Sequence, residues 1–85
     1  MYRLLTANRK VEKILRNYIS KRHDIPLKLD KLKLDPRREN DAHSLHGRLA
    51  GKWACWLGSN IRLIYSIDDI NKTIIIQAIG SHNIY

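Results

Sequence analysis

Two neighbouring stretches specify the architecture of this chain: Trp53-Ala-Cys-Trp-Leu-Gly-Ser-Asn-Ile-Arg-Leu-Ile-Tyr65 and Ile74-Ile-Ile-Gln-Ala-Ile-Gly80. They contain three runs of apolar and β-branched residues separated by short polar breaks, which is the pattern of a small antiparallel sheet. The runs predict strands over 53–57, 61–67 and 73–79. The last two strands flank Asp68-Asp-Ile-Asn-Lys72, whose Asp and Asn residues suit the turn of a hairpin.

Polar side chains interrupt the middle strand in a regular way. Because side chains alternate between the two faces of a strand, Arg62, Ile64 and Ser66 are predicted to share one face. An arginine in an otherwise apolar strand breaks the local pattern, and such exceptions are concentrated at functional sites. The alternation also allows a plainer interpretation, in which Arg62 is simply an outward residue of a one-sided sheet.

The N-terminal half predicts a strand and two helices. Residues 2–5 form a short strand, and Asn8 is a suitable N-cap for the helix that follows. The apolar residues of that helix recur at the spacing of one helical face, at Val11, Ile14, Leu15, Tyr18 and Ile19. Asp24 is predicted to cap a second helix, which carries Pro26 in its first turn and ends at Asp35-Pro36.

Residues 35–52 are polar and include two glycines, which indicates a loop leading into the sheet. No internal repeat, low-complexity tract or long linker divides the sequence, so residues 1–85 are predicted to form a single domain. The element order is strand, helix, helix, strand, strand, strand. We therefore expect an α+β fold in which two N-terminal helices pack on a small four-stranded, mostly antiparallel sheet.

The charge of the chain is strongly basic and unevenly distributed. Sixteen Lys and Arg against eight Asp and Glu give a net charge of +8 and a pI near 10.0. Residues 1–50 hold thirteen of the basic residues and six of the acidic ones. An excess of this size indicates a polyanionic or acidic protein partner, with nucleic acid favoured over a merely solvated surface.

Cysteine content and hydropathy indicate a cytoplasmic protein with no membrane partner. Cys55 is the only cysteine, so no disulfide can form within the chain, and its presence fits a reducing compartment. No apolar run approaches the roughly 20 residues needed to span a bilayer. The first residues also lack the long apolar segment of a signal peptide.

Three segments of the chain form a recognisable set: Leu45-His-Gly-Arg-Leu-Ala-Gly-Lys-Trp53, Ile61-Arg-Leu-Ile-Tyr65 and Gly80-Ser-His-Asn-Ile-Tyr85. Together they resemble the RelE/ParE superfamily of bacterial toxins, closest to its YafQ, YoeB and RelE-like branches, which cleave messenger RNA. The resemblance covers the whole chain in order and is specific from about Ala42 onward. It implies the toxin of a type II toxin–antitoxin system, which acts on messenger RNA at the ribosome and is neutralised by a cognate acidic antitoxin.

The resemblance also implies roles for individual residues. Arg62 matches the strand arginine that contacts the scissile phosphate, and His82 matches a catalytic histidine or arginine near the C-terminus. His43 falls where YafQ-like members place a histidine and YoeB-like members a glutamate base, and Tyr85 matches a terminal aromatic residue. The residues predicted to bind the substrate are Arg48, Lys52 and Trp56.

The predicted strand over 53–57 departs from the family pattern. RelE-type members carry lysine or arginine where this chain has Cys55, Trp56 and Leu57. YafQ-like members place a histidine about where Trp56 stands. Basic groups that would stabilise the transition state are therefore missing from this strand.

Metal-free RNA cleavage uses the 2′-hydroxyl as an internal nucleophile. It needs a base for that hydroxyl, an acid for the departing 5′-oxygen and a cation beside the phosphate. Histidine can take either proton role near neutrality, arginine offers a fixed cationic fork, and aromatic rings stack on unpaired bases. Together with this chemistry, the resemblance implies His43 as base, His82 as acid, Arg62 as phosphate clamp and Tyr85 as an orienting group, with no cofactor.

Two other functions are compatible with the same fold. A ParE-like inhibitor of DNA gyrase would need none of the His and Arg residues, and a non-catalytic RNA- or protein-binding module would keep only the basic surface. A zinc site built from His43, His46, Cys55 and His82 is also conceivable. No paired-ligand motif supports such a site, and loop histidines are most often simply exposed.

Overall fold

The computed structural model describes residues 1–58 and 60–81. This part of the chain contains two helices and five strands: β1 Arg3–Thr6, α1 Arg9–Lys21, α2 Asp24–Leu34, β2 His43–Ser44, β3 Trp53–Trp56, β4 Ile61–Asp68 and β5 Thr73–Ser81. Short 3-10 turns lie at Glu39–Asp41 and Gly47–Leu49. The predicted α+β class and the two N-terminal helices are confirmed.

The five strands form one mixed sheet in the order β1-β5-β4-β3-β2. β1 runs parallel to β5, and the other three pairings are antiparallel. The prediction of four strands was wrong by one, because His43 and Ser44 pair with Ala54 and Trp53 to form the extra edge strand. Two exposed polar residues show no apolar alternation, so the sequence pattern does not reveal this strand.

The helix boundaries follow from local side-chain chemistry. The Asn8 side chain accepts a hydrogen bond from the Val11 N–H at 2.9 Å, which confirms the predicted cap of α1. The predicted cap of α2 was wrong. Asp24 is instead the first residue of the helix, and its carboxylate is bound by the Arg22 guanidinium at 2.9 Å. Neither helix in the described part of the chain is long and apolar enough to cross a membrane.

Both helices pack on one face of the sheet. The completely buried side chains include Ile25 and Leu32 from α2 and Leu63, Tyr65, Ile74 and Ile76 from the sheet. The buried face of α2 consists of Ile25, Leu29 and Leu32, whereas Leu27 and Leu34 lie off this face and are 66% and 65% exposed. The Tyr65 hydroxyl donates a hydrogen bond to the Pro36 carbonyl at 2.5 Å. This bond ties the segment after α2 to the centre of the sheet.

One irregularity interrupts the pairing of the two long strands. Tyr65 lies opposite Ile76, whereas Ile64 lies opposite Ala78, so Gln77 is an extra residue in β5. This arrangement is a β-bulge, which redirects the side chains that follow it and increases the local twist of the strand.

Candidate nucleic-acid interface

The sheet face turned away from the helices holds the predicted site residues that lie on strands. One row of cross-strand neighbours on β3, β4 and β5 consists of Trp56, Arg62 and Gly80. The next row, which begins on β2, consists of His43, Ala54, Ile64 and Ala78. Leu63, between these rows on β4, is buried against the helices. The alternation predicted for β4 is therefore confirmed, and it places His43 and Arg62 on the same face.

Arg62 is held against an aromatic ring. Its guanidinium carbon, Cζ, lies 4.5 Å from the centroid of the Trp56 ring, which is directly opposite on β3. Stacking of this kind restrains the guanidinium plane while the group keeps its charge. Trp56 was predicted to bind substrate by stacking on a base. In the structure its ring lies against the Arg62 guanidinium.

His43 is exposed on the edge strand β2. Its ring nitrogen Nδ1 lies 3.2 Å from the backbone carbonyl oxygen of Asp41. Because a carbonyl oxygen can only accept, Nδ1 carries the proton of this hydrogen bond, and in the neutral ring Nε2 is left with its lone pair. The contact therefore favours the tautomer that a general base requires.

The loop between β2 and β3 has a defined shape. The Leu45 N–H donates to the Lys52 carbonyl at 2.9 Å, which extends the β2–β3 pairing, and the Lys52 N–H donates to the Leu49 carbonyl at 3.0 Å. Gly47 and Gly51 have φ values of +67° and +90°, a left-handed conformation that glycine adopts readily. These bonds and turns fold residues 45–52 over the edge of the sheet.

A groove of about 490 Å³ lies between this loop and the sheet. It is lined by His46, Arg48, Leu49, Lys52, Ile64, Gln77 and Ala78. Among these described residues none is acidic, and Arg48 and Lys52 contribute two positive charges. We call this surface the basic groove. Its charge and its apolar floor suit a ligand that has both phosphate and ring surface.

The structure brings five of the seven predicted site residues to one side of the molecule. His43, Trp56 and Arg62 lie on the sheet face away from the helices, and Arg48 and Lys52 line the basic groove on that face. His82 and Tyr85 lie outside the described residues. His46 and Gln77 also line the basic groove but were not predicted as site residues. The signal for Gln77 was a lone amide within an apolar run.

Cys55 lies on the opposite side of the sheet from His43. It is 1% exposed in the core, and burial raises the pKa of its thiol to about 12. The zinc set considered from the sequence is therefore not assembled around it. Within residues 1–58 and 60–81, no group of three or more His, Cys, Asp or Glu side chains is placed to hold a metal ion.

Comparison with known proteins finds similarity in structure but not in sequence. No family model matches the chain, and no curated protein matches it in sequence. The YoeB–YefM complex from Staphylococcus aureus matches with a TM-score of 0.74 and 15% identity, over 96% of this chain and 98% of that one. A YoeB/ParE toxin from Agrobacterium tumefaciens matches with a TM-score of 0.75 and 14% identity, over 94% and 98% of the two chains.

A conserved hypothetical protein from Helicobacter pylori has higher sequence identity, 27%, with a TM-score of 0.63 over 96% of each chain. At 14% and 15% identity, the likeness to the two toxins is one of fold. It extends over nearly the full length of both partners in each comparison. The chain therefore shares its fold with these YoeB and YoeB/ParE toxins, and the resemblance predicted from its sequence is confirmed at the level of the fold.

Proposed function

We propose that this protein is the toxin of a type II toxin–antitoxin system and an endoribonuclease that cleaves messenger RNA. The observation that carries the proposal is the Arg62 guanidinium, 4.5 Å from the Trp56 ring centroid, on the sheet face that also bears His43 and the basic groove. A restrained cation beside basic surface is suited to a phosphodiester. The full-length likeness to YoeB supports the same conclusion.

The proposed reaction is internal transfer followed by release. His43 takes the proton of the 2′-hydroxyl through Nε2, and the 2′-oxygen attacks the adjacent phosphorus. Arg62 stabilises the negative charge that develops on the phosphate oxygens. The bond from phosphorus to the 5′-oxygen breaks, and His82 supplies the proton to that oxygen. The products are a 2′,3′-cyclic phosphate and a 5′-hydroxyl, and the reaction needs no metal ion.

The geometry of the sheet sets the distance between His43 and Arg62. His43 and Ile64 are separated by two strand spacings, about 10 Å, and Arg62 lies two residues further along β4, about 7 Å. The side chains of His43 and Arg62 must therefore reach towards each other across the face to contact one phosphate. Tyr85 is proposed to orient the nucleotide.

The proposed partners are messenger RNA, the ribosome and an acidic antitoxin. The net charge of +8 favours all three. A solved complex of YoeB and YefM from Staphylococcus aureus is a toxin–antitoxin complex, which supports an antitoxin for this chain as well. We place the activity in the cytoplasm, where messenger RNA is translated.

Primer extension on messenger RNA after induced expression tests the cleavage activity. The wild-type protein should stop growth and produce discrete cleavage sites, and co-expressed antitoxin should remove both effects. Arg62→Ala should abolish the sites, whereas Arg9→Ala, at an exposed arginine of α1, should not. Growth arrest with intact messenger RNA would reject cleavage and favour gyrase inhibition.

His82→Gln separates catalysis from binding. A glutamine is close in size but cannot titrate, so the variant should cleave roughly a hundredfold more slowly or worse. Binding of RNA and antitoxin should change much less, because proton transfer contributes only in the transition state. Equal cleavage by the variant and the wild type would remove His82 from the reaction.

A further inference from the structure

We propose that the basic groove binds a nucleobase of the RNA substrate and that Gln77 determines which base is accepted. The inference rests on the proposed endoribonuclease function, and it adds a specificity site that the cleavage chemistry does not require.

The first observation is the position of Gln77 in the bulge. Because Ile76 and Ala78 pair with Tyr65 and Ile64, Gln77 is the one residue of this stretch without a cross-strand partner. Its half-buried side chain lines the basic groove instead of taking a place in the sheet pattern. Bulges often re-aim a side chain at a functional site in this way.

The second observation is the hydrogen bonding of the Gln77 amide. Its nitrogen donates to the Ser66 hydroxyl at 3.3 Å, which restrains the side chain against β4. A primary amide carries two N–H donors and a carbonyl acceptor, so one N–H and the carbonyl are available to a ligand. That pair of groups is the one with which glutamine reads the edge of a base.

The third observation is the chemistry of the groove around this amide. Ile64 and Ala78 form an apolar floor from the sheet, and Leu49 adds an apolar residue from the loop. Arg48 and Lys52 provide the cations. A volume of about 490 Å³ lies within the range of roughly 300–1,000 Å³ that is common for small-molecule sites. A planar base attached to phosphate matches this combination of apolar floor, cations and one amide.

The fourth observation is the distance to the proposed cleavage centre. Ile64 is two residues from Arg62 on the same strand and the same face, about 7 Å away. A base held over Ile64 therefore belongs to the nucleotide whose phosphate contacts Arg62, or to its direct neighbour. Selection of that base would fix where the RNA is cut.

Titration with the four nucleoside 5′-monophosphates, followed by ¹⁵N NMR of the wild-type protein, tests the binding site independently of cleavage. The amide signals of Ile64, Gln77 and Ala78 should shift, with affinities that differ between bases. Gln77→Leu should reduce the ratio between the affinities for the best and the worst base by roughly tenfold. Arg48→Ala should weaken all four ligands by a similar factor, and Asn17→Leu, an exposed amide on α1, should change neither property.

Cleavage mapping of the same variants completes the test. Gln77→Leu should cut at a wider set of sequences. Gln77→Glu keeps the shape of the side chain but replaces the N–H donor with a carboxylate oxygen that can only accept, so it should change the preferred base. The spectrum of each variant verifies that it is folded. If the groove signals of the wild-type protein do not shift with any of the four nucleotides, or if Gln77→Leu keeps the wild-type ratio of affinities between the best and the worst base, the proposal is overturned.

The two hypotheses fail separately. Normal cleavage by a protein whose groove signals do not shift with any nucleotide would reject the base site and leave the endoribonuclease function intact. Base-selective binding in the groove without any cleavage of messenger RNA by the wild type would reject the endoribonuclease function and leave the base site in place.

Discussion

Arg37 donates two hydrogen bonds to the carboxylate of Asp69, at 3.1 and 2.8 Å, and so joins the segment after α2 to the turn between β4 and β5. The Tyr2 hydroxyl donates to the same carboxylate at 2.6 Å. The Arg37 guanidinium carbon also lies 5.7 Å from the Trp53 ring centroid. Three distant parts of the sequence therefore meet at one acidic side chain.

This arrangement predicts a pH-dependent contribution to stability. The Arg37 guanidinium and the Tyr2 hydroxyl lower the pKa of Asp69 to about 2. The pKa in the unfolded chain is about 3.9, so the stabilisation is present above that value and is lost as the pH falls towards 2. Asp69→Asn should lower the urea midpoint at pH 7, and its difference from the wild type should shrink below pH 4.

Asp30→Asn is the matched control, because the Asp30 carboxylate has a longer 3.5 Å contact with Lys33 on the surface of α2. Its effect at pH 7 should be small. A deficit of Asp69→Asn that stays constant from pH 7 to pH 2.5 would show that the ion pair is not its cause.

At Gly58, between β3 and β4, there is little space for a side chain. Its φ is +106°, and a Cβ there would lie 2.5 Å from Asp24 Oδ2 and 2.7 Å from Arg22 Nη2. Gly51 has a φ of +90° but no atom within 4 Å of such a Cβ. Gly51→Ala should therefore cost only backbone strain, about 1–3 kcal/mol. Gly58→Ala should cost that strain and, in addition, the smaller cost of displacing the ends of the Arg22 and Asp24 side chains.

Chemical denaturation measures the difference between the free energies of unfolding of the two variants, which we call the gap. In an Asp24→Ala background the gap should narrow, because the colliding carboxylate is gone. Equal destabilisation of the two single variants would mean that the Arg22–Asp24 pair moves aside freely.

The contact between Arg62 and Trp56 predicts a graded effect on cleavage. Trp56→Leu removes the ring and should slow single-turnover cleavage about tenfold, the scale of a partly desolvated cation–π contact. Trp56→Phe keeps a ring beneath the guanidinium and should stay much closer to the wild type. RNA affinity should change little in both. A parallel loss of affinity and cleavage would instead show that Trp56 stacks on a base.

Cys55 predicts a thiol that is inert in the folded protein. It is 1% exposed, and a pKa of about 12 leaves almost no thiolate at pH 8. A chromogenic disulfide reagent should therefore react with one thiol per chain in denaturant and with almost none in buffer. Rapid labelling of the native protein would place Cys55 outside the core.

Much of the fold could be predicted because its long elements follow simple periodicities. The apolar spacing at Val11 and Leu15 marks the buried side of α1, and alternation in β4 separates Arg62 from Leu63. β2 could not be predicted, since His43 and Ser44 are in a strand only through backbone pairing with β3. Asp24 was misassigned because Arg22 competes for its carboxylate.

The candidate site was predictable in its residue types and less so in its contacts. The position of Arg62 on the face away from the helices follows from the sequence alone. Its contact with Trp56 depends on the register between β3 and β4, which no local pattern fixes. The place of Gln77 in the groove depends on a bulge that shifts the pairing by one residue.

The parallel pairing of β1 with β5 has a consequence for the order in which the protein is completed during translation. Among the described elements, β1 comes first along the chain and its partner β5 comes last. While the intervening residues leave the ribosome, the backbone groups of β1 that later pair with 73–76 have no strand partner. The contact links residues about 70 positions apart. A nascent chain that stops before β5 would leave β1 without its partner strand and would separate it from the antiparallel strands β2, β3 and β4. It would also have neither Gly80 beside Arg62 nor Gln77 in the groove.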